Sequence, residues 1–338
     1  MRFYFKLLNR LLFLLLVAVL LGWGGVLAWF TSWRNEKMAS LNAASAVAQM
    51  PGGSVEYVQS GDGPAVLVFH GAPGGYDQAV LLGSDLRADG FQVIAPSRPG
   101  YLRTALSTGL TPDREADTAA MFLDEVVHVG SVAVVGFSYG APAAVEFARR
   151  HPERTRALVL ISPVLKRGDN PEQRLPKLVN EGLTGDMGSW LAVKAATEEP
   201  GTALGWAFDL TQQGGDSARA AWTNTVQASP EQLAWFRQLV GTLAPINPRE
   251  TGLRNDLLQM HAIPEIPYEK IGTPTLIVHG AGDRFVSAAD VLDVSKRMPR
   301  AEVFNVEGAG HLVQLGPNAG AVRGKIASFL KQFNGAAN

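Results

Sequence analysis

The segment VVGFSYGAP, Val134 to Pro142, sets a serine between two glycines at spacing two. A serine hydroxyl is a weak nucleophile and becomes useful only where a turn exposes it and a base can take its proton. VAVVGF before Ser138 reads as a buried strand. APAAVEFARR after it reads as a helix with Pro142 in the first turn, where the missing N–H does little harm. Strand, glycine turn and helix are the setting of a nucleophile elbow, with Gly136 and Gly140 removing side chains where the two backbones crowd together. A strand that simply ends in a glycine turn yields the same letters, so the reading depends on partners elsewhere in the chain.

Six histidines are available as bases. His311, in VEGAGHLV just beyond the last predicted strand, stands in a loop of small residues free to face the sheet edge. His151 closes a helix in RRHPER and is expected at the surface. His128 precedes a strand from the wrong end, His261 falls where a long connection returns, and His279 ends a strand in IVHG. His70 ends another in FHG, where with Gly71 it is expected to support the following turn. Asp283, in IVHGAGDRFV, follows a strand and is the candidate acid for orienting the imidazole. Asp256, in GLRNDLLQM, is a rival for which a structural or pocket-lining place is expected, and Asp113, Asp117 and Asp124 read as solvated positions. A tetrahedral oxyanion would need backbone donors. The Tyr139 amide, next to the nucleophile, and the Ala72 amide in HGAPGG are the expected pair, with a plain glycine-rich turn as the competing reading of that loop.

The elements that must position these residues are legible as alternation. PAVLVFHG, FQVIAPSRPG, SVAVVGFSYG, RALVLISP, TPTLIVHG and AEVFNVEGAG are short apolar runs of strand length, and SVEYVQSG looks like an edge strand. Several are nearly continuous in apolar character, as strands covered on both faces of a parallel sheet should be. Segments of helical spacing lie between them, which predicts a doubly wound α/β body with its ligand site at the strands' C-terminal ends. The connection from Val164 to Lys270 is too long for a loop and is rich in helix formers. It holds Trp190, Trp206, Trp222 and Trp235, and is expected to be a helical lid; packing of lid helices is the plainer role for any one ring. The expected division is therefore 54–163 with 271–338 as α/β core and 164–270 as cap.

With 46% apolar and 18% charged residues the chain suits a globular body, and a formal net charge of -1 leaves no electrostatic footprint for nucleic acid. Cysteine is absent, which excludes disulfides and thiolate chemistry. Leu11 to Phe30 runs 20 residues without a charge, about 30 Å as a helix, the thickness of a bilayer's hydrocarbon. Arg2, Lys6 and Arg10 precede it, favouring a cytoplasmic N-terminus, and Trp23, Trp29, Phe30 and Trp33 crowd the far end like an interfacial belt. Residues 1–30 thus read as a transmembrane anchor in contact with membrane lipid, and 31–53 as a tether. A cleaved signal segment is the competing reading, with AASAVAQM offering small-residue sites.

Together HGAPGG, APSRPGYLRT, GFSYG, RHPERTRALVLISP, LIVHGAGDRFV and GAGH resemble the α/β-hydrolase superfamily in its capped form, over roughly Ser54 to Phe333. The order Ser, Asp, His is also that of α/β-hydrolases. The resemblance implies Ser138 as nucleophile, Asp283 as orienting acid, His311 as base, and a cap over the pocket. Ser138 departs from epoxide hydrolases and haloalkane dehalogenases, which carry Asp at the elbow. Proline iminopeptidases resemble the chain at HGAPGG but usually have a second Gly where Ala72 stands and Trp where Tyr139 stands. The expectation is a serine hydrolase anchored in a bacterial inner membrane with an extracytoplasmic body, cleaving an ester or amide of a small apolar substrate. No metal or organic cofactor is implied. C–C bond hydrolysis, lyase or perhydrolase chemistry on the same triad, and a catalytically idle tethered binder, stay open, as does the oligomeric state.

Overall fold

Residues 2–166, 185–262 and 265–333 are described by the computed structural model, and two units divide them at Ala43 and Ala44. The first unit is a single α-helix, α1 (Arg2–Ala43), about 63 Å long at 1.5 Å per residue. By length and composition it is a candidate membrane span, a test that a signal sequence also passes. The helix corrects the expected tether. Residues 31–43 contain neither Gly nor Pro, and Arg34, Glu36, Lys37, Met38, Ala39, Leu41 and Ala43 are good helix formers, so nothing stops the helix before Ala43. The rest of the supposed tether supplies a strand.

In the second unit β1 (Ala46–Met50) pairs antiparallel with β2 (Gly53–Ser60), so SVEYVQSG is the second strand of the sheet and not its edge. Only Met50 of AVAQM is buried, so β1 carries little apolar signal, as an edge strand permits. The sheet continues with β3 (Ala65–Phe69), β4 (Gln92–Pro96), β5 (Val132–Phe137), β6 (Thr155–Ile161), β7 (Thr275–Gly280) and β8 (Ala301–Val306). Its order is β1-β2-β4-β3-β5-β6-β7-β8. β2 pairs antiparallel with β4, and every pairing from β4 to β8 is parallel.

Strands β3, β5 and β7 are buried along their whole length because helices cover both faces. Leu67, Val134, Leu158 and Ile277 face α4 (Pro112–Phe122), α5 (Ala141–Arg150) and α11 (Ala288–Arg297). Val66, Val135, Val159 and Val278 face α2 (Tyr76–Leu82), α3 (Ser84–Ala88) and α12 (Ala319–Lys331). The chain winds from β3 outward to β4 on one side and resumes at β5 on the other. Connections therefore diverge at the C-terminal ends of β3 and β5, where a doubly wound sheet opens a crevice.

Between β6 and β7 the cap contributes α6 (Gly185–Glu198), α7 (Pro200–Thr211), α8 (Asp216–Ala228), α9 (Pro230–Gly241) and α10 (Glu250–Ala262). Residues 167–184 and 263–264 of the expected 164–270 cap lie outside the described residues. The cap has its own small core of Leu204, Phe208, Trp222, Val226 and Phe236, closed by Leu315 of the α/β body. Trp222 tilts against Phe208 at 5.9 Å, so this ring does pack the cap together, and Trp190 is buried as well.

Candidate active site

The elbow is built as its glycines require. Ser138 leaves β5 at φ 51°, a left-handed backbone that costs a non-glycine residue on the order of 1 kcal/mol, and enters a single 3-10 turn leading into α5. A Cβ on Gly136 would lie 2.7 Å from that of Ala144, and one on Gly140 2.4 Å from the Phe69 carbonyl oxygen. No larger residue fits at either position, and the close approach throws the Ser138 side chain outward at the crevice.

Two loops bring the other side chains to it. His311 Nε2 stands 2.9 Å from Ser138 Oγ, and His311 Nδ1 stands 2.8 Å from Asp283 Oδ2. An ionised carboxylate only accepts, so Nδ1 carries the imidazole proton and Nε2 is left to accept from the serine O–H. Asp283 is fixed in turn, since Oδ1 accepts the amides of Phe285 at 2.7 Å and Val286 at 3.1 Å. The His311 ring is held edge-on by Phe285, and its carbonyl accepts from Ser162 Oγ. The three expected residues are thus one hydrogen-bonded chain, all of it buried.

The loop after β3 lies against the same cavity. Ala72 and Tyr139, the expected oxyanion donors, line it with Ser138. Gly71 N–H is already donated to Gln78 Oε1 at 2.8 Å, whereas the Ala72 amide makes no hydrogen bond within the described residues. His70 braces the loop from beneath. Its Nε2 accepts the Arg98 amide at 2.9 Å, so Nδ1 bears the proton and donates to the Gly71 carbonyl at 2.7 Å. Burial, with help from the Arg98 charge, holds the His70 pKa well below its ordinary value and keeps the ring neutral.

The remaining candidates are elsewhere. Asp256 sits in a buried cluster, where Arg98 bridges it at 2.9 Å to Glu115 at 2.8 Å and Tyr101 donates to it at 2.5 Å. Burial opposes the Arg98 charge, but the two carboxylates outweigh it and raise its pKa. His279 is buried at the end of β7, 3.9 Å from Asp283, with its pKa lowered chiefly by burial. His151, expected at the surface, is half-buried and pairs with Asp117 at 3.0 Å. Asp124 pairs with Arg154, and His128 is exposed. The His261 side chain lies outside the described residues. Among the described residues no group of His, Asp and Glu is arranged to hold a metal ion.

Sequence reasoning missed what the cap does here. The Thr211 carbonyl accepts from the backbone amides of His311 at 3.0 Å and Arg284 at 3.2 Å, and Gln213 N–H donates to the Gly282 carbonyl at 2.7 Å. The cap thereby grips both loops that carry the acid and base. It also roofs a cavity of about 200 Å³ above Ser138, whose walls include Val164, Leu210, Phe236, Leu239, Ile246 and Met260. Lys166, at its margin, is drawn to Asp293 at 2.8 Å and Asp290 at 3.7 Å.

A mostly parallel, doubly wound sheet with a serine elbow at its crevice defines an α/β hydrolase. Residues 64–317 match the family described as alpha/beta hydrolase fold, and the chain belongs to it. It is 25% identical over 284 residues to the uncharacterized hydrolase YcgS of Bacillus subtilis, covering 83% of this chain and 96% of that one. The structure is similar to an alpha/beta hydrolase fold protein from Nakamurella multipartita, with TM-score 0.77 and 27% identity over 85% of this chain and 99% of that one. A bacterial membrane phospholipase A shares the fold at TM-score 0.60 and 20% identity, over 96% of this chain and 99% of the other.

Proposed function

We propose that this hydrolase is a membrane-anchored serine hydrolase that cleaves an ester or amide of a small, apolar acyl group through an acyl-enzyme on Ser138. The observation that carries the reading is the unbroken relay from Asp283 through His311 to Ser138 Oγ, opening into an apolar cavity. His311 Nε2 takes the hydroxyl proton as Oγ adds to the carbonyl carbon. Asp283 keeps the ring in the tautomer that can accept that proton and stabilises the imidazolium that results. The Ala72 and Tyr139 amides take up the negative charge on the carbonyl oxygen. Imidazolium then protonates the leaving group, the C–O or C–N bond breaks, and water releases the acid by the same steps.

The cavity's apolar walls favour a neutral acyl chain, because a carboxylate placed there would lose its hydration without gaining an unpaired cation. The candidate span α1 supports an anchor, and the three basic residues before its apolar run favour a body on the far side of a bacterial inner membrane. Fluorophosphonate labelling of full-length protein tests the chemistry. The expected result is a single adduct on Ser138 that is lost in Ser138→Ala. A folded protein that takes no label, beside control serine hydrolases that do, would instead be a tethered binder.

A further inference from the structure

Arg249 belongs to the cap, yet its side chain is fully buried against the loop that carries Ala72. Nη1 donates to the Gly74 carbonyl at 2.7 Å and to Asp77 Oδ1 at 2.9 Å, while Nη2 donates to Asp77 Oδ2 at 2.8 Å. Nε donates to the Pro245 carbonyl within the cap at 3.2 Å. Asp77 lies in the first turn of α2, and the next residue, Gln78, uses its side chain to hold the Gly71 amide. One guanidinium therefore restrains Ala72 from both sides, through Gly74 after it and through α2 and Gln78 to Gly71 before it. The fit is close, for a Cβ on Gly75 would lie 2.8 Å from Nη1.

A buried guanidinium that lost these acceptors would be left an unpaired charge out of reach of water, so the loop and the cap must seat together. The guanidinium meets four acceptors, two carbonyls and both carboxylate oxygens, from one rigid fork; a lysine ammonium has three donors and cannot replace it. We propose that Arg249 is a positioning residue for the oxyanion site: the cap completes the active site by setting the loop that aims the Ala72 amide. The inference rests on the acyl-transfer reading for its kinetic consequence, and on geometry alone for its structural one.

The test compares wild type with Arg249→Lys and Asp77→Asn, each as full-length protein in detergent, on p-nitrophenyl butyrate. Misaiming one oxyanion donor should lower kcat about 100-fold and leave KM within about threefold, because the donor acts on charge present only in the transition state. Affinity for an alkylboronic acid, which forms a tetrahedral adduct on serine, should fall in parallel with kcat. A raised KM with unchanged kcat, or unchanged boronate affinity, overturns the proposal and makes Arg249 a wall of the pocket. Should Arg249→Lys fail to fold, Asp77→Asn carries the same comparison. Amide hydrogen exchange separates this proposal from the functional reading. Even if wild type neither hydrolyses esters nor takes a fluorophosphonate, residues 71–78 should exchange faster in the folded variants while β5 does not, and unchanged protection of that loop overturns the inference.

Discussion

The α/β body and the cap hold the same site by different means. The body contributes side chains: Ser138 at the end of β5, Asp283 after β7, His311 after β8 and His70 after β3. The cap contributes main chain, with the Thr211 carbonyl on His311 and Arg284 and the Gln213 amide on Gly282, and amide side chains, with Gln212 on the Gly308 carbonyl and Gln213 on that of Asp283; Arg249 is a charged contact with the oxyanion loop. Sheet strands are rigid and supply the reacting groups. The cap is tied to the loops between them and fixes where those groups point. A lid that merely closed over the pocket would not be bonded to all three loops.

Ser138→Ala is the sharpest way to test the body's side of this contrast. Activity on short nitrophenyl esters should fall about 10⁵- to 10⁶-fold, with stability changed by no more than about 1 kcal/mol, since the hydroxyl packs nothing else. Unfolding on that substitution would assign Ser138 to structure. Asp283→Asn should lower kcat about 10⁴-fold, because an amide no longer favours the tautomer that leaves Nε2 free to accept. Steady-state kinetics at saturating ester checks both. At the joint between the two regions the effect should appear in stability. Asp256→Ala leaves Arg98 with Glu115 alone in a buried site and should cost about 3–5 kcal/mol, read as a lowered denaturation midpoint. A midpoint unchanged from wild type would mean that this cluster does not join cap to body.

That division also accounts for what the sequence reveals. Strand runs such as AVLVF and VAVVGF are apolar throughout because helices cover both faces, so their short, unbroken apolar character announces the sheet. Ser138, Asp283 and His311 each stand at the end of such a run among small residues, and the family's motif order gathers them. The cap's grip on the site leaves no such trace, because a carbonyl like that of Thr211 has no residue-type signature. Arg249, in INPRE, looks like any surface arginine until the fold puts it 2.7 Å from Gly74. Asp77 gives no warning either, because an acidic residue in the first turn of a helix is ordinary without a partner cation. AVAQM was lost for the opposite reason: an edge strand with a single buried residue has no pattern to read.

The smallest expected effect concerns how the body supports the oxyanion loop from its own side. His70 and His279 are both buried and held neutral, with folded pKa values below the ordinary 6.5. In the unfolded chain these rings protonate as pH falls through about 6.5, while in the folded chain they take up a proton only at lower pH. The unfolded state therefore binds more protons, and stability present above that pH is lost below it, at up to about 1.4 kcal/mol per pH unit for each ring. His70→Asn removes one of the two contributions. Its melting temperature should be lower than wild type at pH 7.5, because the bonds to Arg98 N–H and the Gly71 carbonyl are weakened, yet it should fall less between pH 7.5 and 5.5. Comparing the two slopes cancels the other titrating groups. Equal slopes would mean that His70 takes up a proton in the folded protein, and then its Nε2 could not be accepting the Arg98 amide that braces the loop.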